Sequence, residues 1–203
     1  MQDSIEFFNQ RAREGTFDSF TEEARVRLLA ILDDIHFPTG KPLKVMDCGC
    51  GTGRAMEVLA RRLGSGAEIV GADNSPDMIA RAREIRRPPD GVKFGFVVAD
   101  CVKLPFETES FDWILVIDAF PHFKDMPASL QELKRVLKDG GYLGILSHHS
   151  GEEANLHHQK IGGPVANDFM PKAMEFMQLF RDSGLWLQIY VDDAEGFRSL
   201  ARK

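Results

Sequence analysis

Between Lys44 and Arg54 the chain reads Lys-Val-Met-Asp-Cys-Gly-Cys-Gly-Thr-Gly-Arg, and this stretch leaves few folds open. Two apolar residues, Val45 and Met46, end in an acid, Asp47, after which glycine takes every second position: Gly49, Gly51 and Gly53. A segment of helical character, 54–63, follows at once. That order predicts a buried strand turning abruptly into a helix. Glycine in such a turn lets backbone N–H groups approach a ligand with no Cβ in the way. A nucleotide-type cofactor turn is expected, and the rest of the chain must say which.

Strands and helices alternate on both sides of it. Residues 1–20 predict a short helix and loop, and 21–35 an amphipathic helix with Val26, Leu29, Leu32 and Ile35 at helical spacing. Short apolar runs at 43–47, 68–73, 92–99, 111–117 and 142–147 read as strands. Segments 54–63, 76–85 and 127–137 read as helices, the second opened by Ser75, Pro76 and Asp77 as cap, first helical position and first-turn acid. Asp139, Gly140 and Gly141 read as a turn. This rhythm argues a doubly wound, Rossmann-like α/β fold: an open, mostly parallel sheet with helices on both faces. Ligands in such sheets sit beyond the carboxyl ends of the strands. Those ends carry Asp47, Asp73, Asp100, Asp118 and His148, and four acids in succession point to a site. A polar connection at 148–170, rich in histidine and glycine, reads as a lid or substrate segment. A helix at 171–183 follows, then strands 185–191 and 197–201, whose short connection requires an antiparallel pair.

Charge narrows the class of partner. With 25 basic and 31 acidic residues among 203, the net charge of -6 leaves no basic stripe for nucleic acid. The densest basic cluster, Arg81, Arg83, Arg86 and Arg87, reads as a solvated helix face and its end. No apolar run approaches the ~20 residues that span a bilayer, and the start of the chain lacks a signal-peptide layout. A cytoplasmic protein with no membrane partner is expected. Three cysteines make no disulfide framework. No metal site is assigned, since Cys48 and Cys50 supply half a zinc site at best.

The ligand remains to be chosen between a dinucleotide and S-adenosylmethionine. A dinucleotide turn is G-x-G-x-x-G, whereas here it is G-x-G-x-G. Asp73, at the end of the second strand, suits ribose hydroxyls of either cofactor. Asp100 discriminates, because an exocyclic adenine amine can donate to it and NAD needs no carboxylate there. Residues 43–146 resemble the class I S-adenosylmethionine-dependent methyltransferases, and most the small-molecule branch called type 11. The resemblance rests on Val45 to Gly53, on Gly71-Ala-Asp-Asn-Ser, on Ala99-Asp-Cys with Leu104-Pro-Phe, on Phe111-Asp-Trp-Ile-Leu-Val and on Leu133 to Leu143.

The resemblance implies a seven-stranded sheet of order 3-2-1-4-5-7-6 with strand 7 antiparallel, in one domain. Residues 1–40 would be its N-terminal cap helices, 41–147 its cofactor core, 148–170 its substrate segment and 171–203 its last helix and hairpin. It implies that the backbone at Gly49 and Gly51 holds the methionine part of the cofactor, with Cys50 and Gly53 also in the cofactor-binding turn and Asp47 supporting it. Asp73 would take both ribose hydroxyls, Asn74 and Met78 would flank the adenine, and Asp100 and the Cys101 N–H would read its edge. The Asp118 backbone would lie near the methionine ammonium or the methyl group. Phe7, Phe8 and Arg11 resemble the family's segment that closes over the cofactor.

Methyl transfer from a sulfonium needs alignment and exclusion of water more than it needs a base, so the motif names no catalytic residue. Five of the six histidines lie at or beyond the fourth strand. His148 and His158 are the candidates to bind or deprotonate a small-molecule acceptor, with Asn155 turned toward the pocket and Glu153 in support. Phe120, Pro121, His122, Phe123, Phe169, Met170 and Met174 are candidate apolar walls. The sequence leaves open whether 148–170 is catalytic, metal-binding or only a lid, and whether the protein is a monomer or a homodimer. It also leaves open a non-catalytic binder of S-adenosylmethionine or S-adenosylhomocysteine and, on a similar sheet, a dinucleotide oxidoreductase.

Overall fold

A computed structural model describes residues 2–38 and 41–203. Thr39 and Gly40, in the expected break after the second helix, lie outside them. Seven strands form one sheet: β1 Lys44–Cys48, β2 Glu68–Asp73, β3 Lys93–Val98, β4 Phe111–Ile117, β5 Leu137–Ser147, β6 Trp186–Asp193 and β7 Gly196–Arg202. Their order is β3-β2-β1-β4-β5-β7-β6. The first five strands are parallel, and β7 runs antiparallel to both β5 and β6. Order and sense are those expected.

Both sheet faces are buried, which is why the strands read as continuous apolar runs. Along β1, Met46 joins the core under α5 (Met126–Val136) and α7 (Ala173–Ser183), built from Leu130, Leu133, Phe176 and Phe180. Its neighbour Val45 points to the other face. There it meets Leu28, Ile31 and Leu32 of α2 (Glu22–Asp33), Met56 and Leu59 of α3 (Arg54–Leu63), and Ile79 of α4 (Pro76–Ile85). α1 (Gln2–Arg13) lies against α4: Ser75 Oγ donates to Asn9 Oδ1 at 2.6 Å and Arg13 pairs with Asp77. α6 (Gly151–Ile161) starts on a Ser150 and Glu153 capping box.

Two expectations change. Asp139, Gly140 and Gly141 form no turn outside the sheet; they lie within β5. Between Leu137, paired with Phe111, and Tyr142, paired with Trp113, the extra residues bulge. Lys203 closes the bulge by backbone bonds with Gly140 and Gly141. Arg86, read as part of a solvated face, is instead 9% exposed. Its guanidinium donates to Thr52 O at 2.8 Å and to Asp18 O, and pairs with Glu57. One buried side chain thus ties the loop after α1 to the glycine turn.

Candidate active site

A cavity of about 910 Å³ opens beyond the carboxyl ends of β1, β2, β3 and β4. Asp47, Gly49, Cys50, Gly51, Asp73, Asn74, Met78, Asp100, Cys101 and Asp118 all line it, as do His148 and His158. Gly53 does not. It caps α3 with φ +75°, and a Cβ there would meet Arg86 and Phe96, away from the cavity. Its glycine serves the turn.

The turn's amides go elsewhere than expected. Gly49 N–H and Cys50 N–H both donate to Ala72 O, and Gly51 N–H donates to Asp73 Oδ2 at 2.8 Å. The loop wraps the end of β2, so its N–H groups point back into the protein. What glycine supplies to the cavity is space: at Gly49, with φ +79°, a Cβ would sit 2.5 Å from that of Ala119.

Nor does Asp47 support the turn. Its side chain is 1% exposed, and neither carboxylate oxygen has a hydrogen-bond partner among the described residues. Burial first, then Asp73 and Asp118 nearby, push its carboxyl up to about 7 against some relief from Arg54. A buried orphan carboxylate costs free energy that a native fold normally avoids. Asp73, also raised by burial, is better placed: Ser75 N–H reaches Oδ1 at 2.9 Å and Gly51 N–H reaches Oδ2. Each oxygen keeps a lone pair for another donor. Asp100 is exposed and accepts from Val102 N–H at 3.1 Å. Burial drives the Cys50 thiol well above its ordinary value, so that thiol is packing beneath the site and not a nucleophile.

The Asp118 side chain has a larger part than its backbone. Its φ of +55°, uncommon outside glycine, aims the carboxylate at His148, where the 148–170 connection begins. Oδ1 accepts from His148 N–H, Oδ2 lies 2.8 Å from His148 Nδ1, and Arg54 Nη2 stands 3.3 Å away. Burial alone would raise this carboxyl, yet His148 and Arg54 together hold it below the usual range. Against an ionised carboxylate, His148 Nδ1 must carry the proton, which leaves Nε2 as the basic nitrogen. Arg54 in turn lies 4.1 Å below the ring of Phe20, which with Phe17 covers the cavity.

His158 and His148 do not meet. His158 Nδ1 donates to Asp168 O at 2.6 Å, and burial lowers its proton affinity. Asn155 faces away from the cavity, clamping Met170 through both its backbone N–H and C=O. Glu153 caps α6 and pairs with Arg27. Of the expected walls, Pro121, His122 and Phe123 line the cavity, while Phe120 and Met170 are core and Phe169 and Met174 are exposed outside it. Phe7 and Phe8 line it and Arg11 does not; Arg11 lies 5.0 Å from the Phe7 ring instead. Sequence reasoning missed Arg54, Phe17 and Phe20 as lining residues and Asp168 as a partner. Only the position of Arg54, directly behind the third glycine, could have signalled it.

Sheet order and site together define the class I methyltransferase architecture. A family model described as a methyltransferase domain matches residues 40–183, and the chain belongs to that family. A demethylmenaquinone methyltransferase of Thermus thermophilus is 39% identical over 105 residues, covering 52% of this chain and 47% of that protein. A 2-methyl-6-phytyl-1,4-hydroquinone methyltransferase of Synechocystis is 39% identical over 101 residues, covering 50% and 30%. The chain thus spans less than half the length of these relatives. Among solved structures, a chain from the Haloferax volcanii complex between the Trm112 methyltransferase activator and a methyltransferase superposes with a TM-score of 0.74. The two are 21% identical, covering 100% of this chain and 98% of that one, a likeness of fold. No helix among the described residues is long and apolar enough to cross a membrane.

Proposed function

We propose that the protein is an S-adenosylmethionine-dependent methyltransferase, one domain in which 148–170 frames a small-molecule acceptor. The observation that carries this reading is the orphaned Asp47 carboxylate on the cavity wall. A cationic ligand group satisfies it, and the cofactor's amino group is one. Arg54, on the same wall, suits the carboxylate of that amino-acid part. Asp73 retains lone pairs for the ribose hydroxyls. Asp100 and Cys101 lie where the adenine edge would be read, with Asn74 and Met78 beside it. The residues therefore fit the cofactor. They fit a dinucleotide poorly, because a pyrophosphate needs free amides and those of Gly49, Cys50 and Gly51 are already bonded.

When bound, S-adenosylmethionine supplies a methyl group on an activated leaving group and departs as S-adenosylhomocysteine. The chain's own residues must orient the acceptor, exclude water and move any proton. Phe7, Phe8, Phe17 and Phe20 cover the cavity and would keep water out. His148, its Nδ1–H fixed by Asp118, would offer Nε2 to the acceptor. His158, fixed by the Asp168 carbonyl, would do so from the lid. The relatives' named acceptors, a demethylmenaquinone and a hydroquinone, support a flat apolar acceptor. Calorimetric titration tests the reading. Saturable binding of S-adenosylhomocysteine with none of NADH is expected; absence of binding to it and to S-adenosylmethionine refutes the proposal.

A further inference from the structure

Asp168 gathers three side chains from two segments of the chain, His122 and Lys124 after β4 and His158 of α6. It is 6% exposed, its Oδ2 lies 2.8 Å from His122 Nδ1, its Oδ1 accepts from Lys124 Nζ at 2.8 Å, and its carbonyl takes the His158 Nδ1–H. Burial would raise this carboxyl, but His122 and Lys124 outweigh it and hold it ionised below the usual range. An ionised carboxylate obliges His122 Nδ1 to be the donor. Nε2 of His122 is then a lone-pair nitrogen, with no hydrogen bond to protein among the described residues. His122 lines the cavity under the edge of the Phe8 ring, at 5.1 Å between centroids. This repeats the arrangement of His148 on Asp118 from a different pair of elements.

We propose that His122, positioned by Asp168, is a second proton-accepting group of the cavity, and that the acceptor is an acidic hydroxyl compound of phenol or enol type bound as its anion. The hydroxyl O–H bond breaks, an N–H bond forms at Nε2, and the resulting imidazolium stays paired with the Asp168 carboxylate. The electron pair left on the acceptor is the nucleophile. The proton later leaves to solvent, so charge and atoms balance. The titratable and charged groups facing His122 are Asp168 and Lys124, His158 of α6 at 4.7 Å between rings, and Asp73 at the end of β2. Phe8, Phe123 and Val165 line the same cavity, and their apolar side chains suit an aromatic acceptor body.

The inference rests on the methyltransferase reading for its purpose, and its test does not depend on turnover. Para-nitrophenol, buffered below its own solution pKa, is titrated into the full chain with and without S-adenosylhomocysteine, and the phenolate absorbance is read. The wild type is expected to bind the probe as phenolate. Asp168→Asn, close in size, and His122→Gln should each weaken phenolate binding by about tenfold or more, as loss of a charge-assisted hydrogen bond does. Neither should change affinity for S-adenosylhomocysteine. Absence of a phenolate band in the wild type, or a band lost in His148→Gln and kept in both other variants, overturns the inference. Failure to bind S-adenosylhomocysteine sinks the methyltransferase reading alone, since the phenolate band is also read without it.

Discussion

Replacing Asp47 by Asn should weaken cofactor binding and stabilise the ligand-free protein. The carboxyl is raised from 3.8 to about 7 by burial and by Asp73 and Asp118, and at about 1.4 kcal/mol per unit this is about 4 kcal/mol against the charged form. A raised value favours the folded state fully below about pH 4, and that contribution is lost as pH rises through about 7. At about pH 8 the ligand-free wild type therefore carries the whole penalty. Asp47→Asn removes it, less about 1–3 kcal/mol for the unmet hydrogen bonds of a buried amide. The complex behaves oppositely. An ammonium brought by the cofactor pairs with the ionised form, so wild-type affinity should rise about tenfold per pH unit up to about 7 and then level off. About one proton should be released on binding at about pH 6. Asp47→Asn should lose about 10–100-fold in affinity, the worth of a hydrogen bond to a charged group, and lose the pH dependence with it. Calorimetry in buffers of different ionisation enthalpy reads affinity and proton release, and urea unfolding at about pH 8 reads stability. Equal affinity in wild type and variant, or a wild-type affinity flat across this pH range, refutes the reasoning.

Gly49→Ala should abolish cofactor binding and cost about 2–4 kcal/mol in urea unfolding, since its Cβ would lie 2.5 Å from the Ala119 Cβ at a positive φ. His148→Gln should lower kcat about 100-fold with cofactor affinity unchanged in calorimetry; a loss of less than about tenfold in kcat/KM removes His148 from the chemistry. Arg86→Ala should destabilise the fold by about 2–4 kcal/mol, because it leaves the Thr52 and Asp18 carbonyls without their donor. Hydrogen exchange around residues 14–21 should accelerate with it. Burial lowers the proton affinity of His158, so the segment around α6 should lose stability as pH falls below about 6.5, the ordinary imidazole value. Hydrogen exchange across 155–168 checks this, and His158→Gln should flatten the dependence.

The sheet was legible because its first four strands are short, apolar and followed or closed by an acid, and because one short final connection forces an antiparallel pair. Those are local signals. The proposed cofactor wall was legible for a related reason: Asp47, Asp73, Asp100 and Asp118 each stand within two residues of a strand's carboxyl end. The directions of bonds were not legible. That the turn's amides fold back onto Ala72 and Asp73, leaving Asp47 alone, depends on how β1 and β2 lie beside each other. Pairings over long separations were also hidden. His122 and Asp168 are 46 residues apart, and no periodicity relates them. Arg86 looked like one arginine among four on a helix end, and only the loop from Phe17 to Phe20 packed over it reveals its burial. Asn155 shares a helix face with His158 by spacing, yet the Met170 backbone claims its side chain.

The central claim, methyl transfer from S-adenosylmethionine to a small acceptor in this cavity, is tested most directly by measuring S-adenosylhomocysteine formed with phenol, thiol, amine and carbon acceptors. The account predicts formation matched mole for mole by a methylated product with a phenolic or enolic acceptor, abolished by Gly49→Ala. Tight cofactor binding with no S-adenosylhomocysteine formed from any of the four acceptor classes would contradict it.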